Sequence, residues 1–101
     1  MGLLFVVEGD ENAKGMYVDI SMKLHSTIML TARNSSSQSF PLVRRLSQYW
    51  CDVLYKPNEI DQLIWELKRI YDSMQIEEVK DLISLCAEAL KQKLGIEVIS
   101  D

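Results

Sequence analysis

The chain has 101 residues, 48% of them hydrophobic and 26% charged, with a formal net charge of −4. That length suits one domain over residues 1–101, and the balance of apolar and charged residues argues against a disordered chain. Acidity opposes contact with phosphate backbones and anionic lipid, so nucleic acid and membrane are poor partners and a basic protein is an easier one, although mild acidity is also the ordinary state of a soluble cytosolic protein.

Leu3 to Val7 is an apolar run too short for a core helix, and it reads as a strand. Gly9, Asp10, Asn12 and Gly15 mark a turn leading to a second short strand at Met16–Val18. Asp19–Arg33 carries two signals. Val18, Ile20, Met22 and Leu24 alternate as in a strand, while Ile20, Leu24 and Ile28 recur as on a helix. The helix is preferred, capped by Asp19. A polar loop, Asn34–Ser39, follows. Pro41 then suits the first turn of a helix whose stripe is Val43, Leu46, Trp50, Val53 and Leu54 and which stops before Pro57.

Asn58 is placed to cap the next helix, running to Met74, whose Ile60, Leu63, Ile64, Leu67, Ile70, Tyr71 and Met74 share one face. Another helix spans Ile76–Leu94, with Gly95 suited to its C-terminal cap, and Ile96–Ile99 reads as a closing strand. The order is β-β-α-α-α-α-β. The fold class is α+β, a small antiparallel or mixed sheet from the N- and C-terminal strands packed against about four helices.

The chemistry is sparse. His25 is the sole histidine, and its neighbour Ser26 would point about 100° away on a helix, so the two do not form a relay. Cys51 and Cys86 fall in helical patterns as small hydrophobes, with no motif that would lower a thiol pKa. No paired metal-ligand spacing and no phosphate-binding glycine loop is present. Glu77, Glu78 and Asp81 suit the positive end of a helix dipole. The expectation is a protein without enzymatic activity, cofactor or metal. With no leader and no stretch able to cross a bilayer, its expected location is the cytoplasm.

One positive feature remains. Trp65 lies off the apolar stripe of its helix, sharing a face with Asp61, Lys68 and Asp72, and with Arg69 at the edge. Two readings stand: it packs beneath a neighbouring element, or it is an exposed anchor of the kind that dominates interfaces. Tyr55 leaves its helix's stripe near Pro57, and Tyr49 sits at a stripe boundary. Together Trp65, Tyr55 and Tyr49, rimmed by Asp52, Asp61 and Asp72, would form an acidic and aromatic recognition patch.

Leu24-His-Ser-Thr-Ile28, the polar loop, Ser39-Phe-Pro-Leu-Val-Arg-Arg-Leu46 and Asn58-Glu-Ile-Asp-Gln-Leu-Ile-Trp-Glu-Leu-Lys-Arg-Ile70 occur in that order. Over roughly Met16 to Asp72 the chain resembles small immunity proteins of bacterial polymorphic-toxin systems. The resemblance implies a non-enzymatic cytosolic inhibitor that neutralises a cognate toxin by direct contact, and it assigns no site residue. The alternative is a structural or regulatory subunit that acts as a homodimer, closed by a terminal strand with an open edge.

Overall fold

The computed structural model describes residues 2–8, 17–33, 40–47 and 53–100. The elements are β1 (Gly2–Val7), β2 (Tyr17–Ser21), α1 (Met22–Arg33), a 3₁₀ turn at Val43–Ser47, β3 (Val53–Tyr55), a 3₁₀ turn at Pro57–Glu59, α2 (Ile60–Met74), α3 (Glu77–Gln92) and β4 (Ile96–Ser100). The four strands form one sheet in the order β2-β1-β4-β3, and every neighbouring pair is antiparallel. The architecture is α+β with three α-helices, not four.

Alternation along the strands divides the sheet into two faces. Leu3, Phe5 and Val7 of β1 are buried, as are Ile20 of β2, Ile96 and Val98 of β4 and Tyr55 of β3. The register sets these side by side: Leu3 opposes Ile20, Phe5 opposes Val98, and Tyr55 opposes Ile96. The helices pack on this face through Leu24 and Ile28 of α1, Leu63, Leu67 and Ile70 of α2, and Val79, Leu82 and Cys86 of α3. Each fully buried Leu, Ile or Phe contributes about 1.5–3 kcal/mol, so this single cluster dominates stability. The helices α2 and α3 pack on each other across the link Gln75-Ile76, which makes them antiparallel neighbours.

Four expectations are corrected. The helix expected to open at Ser39 or Phe40 and to stop before Pro57 is absent from the described residues of that stretch, which hold the 3₁₀ turn Val43–Ser47 and the strand β3. Val53 and Leu54 do not share a stripe: in a strand they point to opposite faces, Leu54 outward and Tyr55 inward with Val53. Pairing with β4 decides this, because the β-branched Val53 and the aromatic Tyr55, with Leu54 between them, complete the sheet against Val98, Glu97 and Ile96. Trp50 lies outside the described residues.

The second correction concerns Asp19, which is a strand residue opposite Leu4 and not a helix cap. Alternation holds through Ser21 and the helical period starts at Met22, so each of the two signals was valid for its own part. The Ser21 hydroxyl accepts the Leu24 N–H at 3.1 Å, the service an N-cap performs. Third, Gly95 does not close α3. Lys93 takes the left-handed conformation at φ 58, with its N–H donated to Leu90 and that of Leu94 to Ala89. These bonds make a Schellman closure built on a lysine. Likewise Asn58 stands in the 3₁₀ turn before α2 and does not cap it.

Candidate functional site

Helix α2 turns Ile60, Leu63, Ile64, Leu67 and Ile70 to the core, which leaves Asp61, Trp65, Lys68, Arg69 and Asp72 exposed on its far side. Trp65 is 51% exposed, so of its two readings the structure takes the exposed one. Its ring is stacked by a cation. The Arg69 guanidinium, one turn further on, lies 4.9 Å from the Trp65 ring centroid and 5.4 Å from that of Phe40. Phe40 is buried, so the arginine bridges a core ring and a surface ring. Stacking of this kind is worth about 0.5–1 kcal/mol at an exposed site. Beside Trp65, an open depression of about 390 Å³ is lined by Asn58, Asp61 and Gln62. The site is thus an aromatic platform with an acid one turn before it and a cation one turn after, and Asp72 two turns on.

The other expected members fare differently. Tyr55 is fully buried and belongs to the core, because strand parity turns it inward. Its hydroxyl donates to the Leu42 carbonyl at 2.7 Å, and burial pushes the phenol well above its ordinary pKa. The Arg45 guanidinium lies 5.7 Å from the ring centroid. Tyr49, Asp52 and Cys51 lie outside the described residues.

The residue that sequence reasoning missed is Glu66. It sits on the inner side of α2 and is fully buried. Its carboxylate accepts the N–H of Leu42 at 3.1 and 3.3 Å, the N–H of Val43 at 3.0 Å, and the Gln62 side-chain amide at 3.1 Å. These bonds satisfy the buried donors that open the 3₁₀ turn. Its signal in the sequence is faint: Glu66 stands three residues after Leu63 and four before Ile70, at the edge of the apolar stripe.

His25 has a comparable task. It is buried, and its Nε2 lies 2.7 Å from the Leu46 carbonyl. A carbonyl can only accept, so that nitrogen carries the proton. Arg44 donates to the Ala32 carbonyl at 2.8 Å, which ties the end of α1. The segment from Phe40 to Leu46 is therefore clamped by Glu66, Tyr55, His25 and Arg44, and these groups are engaged with backbone. Burial pushes the Cys86 thiol up to about 12, which leaves it protonated at neutral pH. Among the described residues, no group of three or more His, Cys, Asp or Glu could hold a metal ion, and no helix is long and apolar enough to cross a membrane.

Comparison with family models, curated proteins and solved structures yields no match.

Proposed function

We propose that this chain is a protein-binding domain that acts by surface contact and not by catalysis, and more narrowly an immunity protein that neutralises a cognate bacterial toxin. The observation that carries the reading is Trp65, half-exposed yet braced by Arg69 at 4.9 Å. A large aromatic side chain with only two rotatable bonds loses little freedom on binding, and such residues supply most interface energy. Asp61 and Asp72 share this face with Lys68 and Arg69, so its local charge is balanced, and it is the chain's net charge of −4 that favours the approach of a basic partner. The ordered resemblance of residues 16–72 to immunity proteins supports the narrower statement.

The test uses the purified product of the adjacent gene as the partner. Trp65→Ala is expected to unfold within a few degrees of the wild type by circular dichroism. The same variant weakens binding by about 2 kcal/mol or more, the scale of an interface hot spot. Unchanged affinity in a folded variant rejects Trp65 as the anchor. The rival homodimer is distinguished by light scattering with tryptophan quenching: a stable dimer that shields Trp65 replaces this reading.

A further inference from the structure

A second surface lies away from Trp65, where strand β2 runs beside helix α3. We propose that the groove between them takes an extended, basic segment of a protein partner as a fifth strand of the sheet. All five residues of β2 pair with β1 on one side. On its other side β2 ends the sheet, and no described strand pairs with it. Among the described residues its outer edge has no strand partner, and such an edge presents N–H and C=O groups in the row that a strand needs.

The wall of the groove comes from α3. Asp81, Ser84, Leu85 and Glu88 recur at helical spacing and line a space of about 650 Å³ together with Tyr17, Val18 and Asp19. Leu85 is nearly buried and supplies an apolar floor, while Tyr17 is 62% exposed at one end. Two acids of α3, Asp81 and Glu88, line this space, with Asp19 at its strand edge turned by strand parity towards the other face of the sheet, and no basic side chain lines it among the described residues. The charge selects the occupant.

Asp81 and Glu88 are seven residues apart, so they stand about 10.5 Å apart along the helix. Side chains on one face of an added strand repeat about every 6.8 Å. Two cations four residues apart therefore bracket the two acids within the reach of lysine, and an apolar residue midway meets Leu85. A second copy of this chain fits poorly. Two β2 edges paired about their middle residue would set Asp19 against its own symmetry mate, with like charges directly opposed.

The probe is the capped peptide Thr-Lys-Thr-Val-Thr-Lys-Thr added to the full chain, followed by ¹⁵N NMR and by amide exchange. Shifts are expected at residues 17–21 and 84–88, with new exchange protection in β2. The double variant Asp81→Asn, Glu88→Gln weakens binding at least tenfold with its spectrum otherwise native, and Asp19→Asn, read separately, weakens it less. A salt increase from about 0.1 M to about 1 M, which cuts the screening length from about 10 Å to about 3 Å, weakens wild-type binding too. Three results would each overturn the proposal: equal binding of a peptide with both lysines replaced by glutamate, shifts confined to α2 around Trp65, or a chain that dimerises with its β2 amides already protected. The test needs no cognate partner and leaves Trp65 untouched, so its failure is separate from failure of the toxin-binding reading.

Discussion

Glu66 joins two parts of the chain that share no secondary structure. A carboxylate fully removed from solvent is expensive unless its oxygens are met by donors, and here two backbone N–H groups and an amide meet them. Glu66→Ala strands the Leu42 and Val43 donors in the core. At about 1–3 kcal/mol for each unsatisfied group, the expected loss is about 2–6 kcal/mol, seen as a lower urea midpoint at unchanged slope. Glu66→Gln keeps one accepting oxygen and is expected to lose less. If the alanine variant matched the wild type, the clamp on the 3₁₀ turn would be incidental.

A second residue pair links stability to pH. Arg45 donates two hydrogen bonds to Glu59, at 3.1 and 2.6 Å. The Arg45 hydrogen bonds hold the Glu59 carboxyl below its ordinary pKa, with the Lys56 N–H assisting. A carboxyl depressed in the folded state stabilises the fold above its ordinary range and loses that contribution as pH falls through the depressed value. The side chains are 42% and 23% exposed, so solvent screening limits the pair to about 1 kcal/mol or less. Glu59→Gln is therefore expected to lower the melting temperature slightly at pH 7 and to converge with the wild type in acid. A difference that persists in acid would assign the loss to the Lys56 turn and not to charge.

At the scale of elements, the β3–β4 junction depends on one glycine. A Cβ placed on Gly95 would stand 2.6 Å from the Tyr55 carbonyl oxygen, and Gly95 also accepts the Glu8 N–H at 2.9 Å. Three segments converge there, so none can yield alone. Gly95→Ala is expected to cost about 1–3 kcal/mol, the range for overpacking. It is also expected to speed amide exchange first in β3, whose three residues hold the sheet edge. Uniform faster exchange across the sheet would deny the local strain.

The elements that sequence reasoning recovered are those whose evidence is local. In α2 and α3 the apolar period runs through fifteen and sixteen residues, enough to identify a helix without knowing its neighbours. In β3 three residues carry too little alternation to identify a strand. Its conformation is set by Val98 and Ile96, more than forty residues away. The misplacement of Tyr55 follows directly: a helical angle put it outward, and strand parity puts it inward. Trp65 was legible as a departure from a long, clear stripe. Glu66 was hidden because a glutamate at the edge of such a stripe reads as a solvated residue until its distant backbone partners are known.

Across the whole molecule, the helices cover one face of the sheet and no described element covers the other. That outer face carries Tyr17, Val6, Glu97 and Leu54 in one row across the four strands, and Asp19, Leu4 and Ile99 in the next. Apolar surface of this kind invites self-association, yet each row contains one acid. Two copies stacked on this face would bury Glu97 and Asp19 without a described basic partner among the outward residues, and an unpaired buried charge costs several kcal/mol. The two carboxylates thus oppose stacking, and with a net charge of −4 the chain is expected to run as a monomer in light scattering. Glu97→Val removes the interruption between Val6 and Leu54 and adds a strand-favouring residue to a central strand. The variant is expected to keep the fold while its mass rises with concentration towards a dimer or larger species. A variant that stays monomeric at the highest concentration would show that the curvature of the face, and not its charge, keeps copies apart.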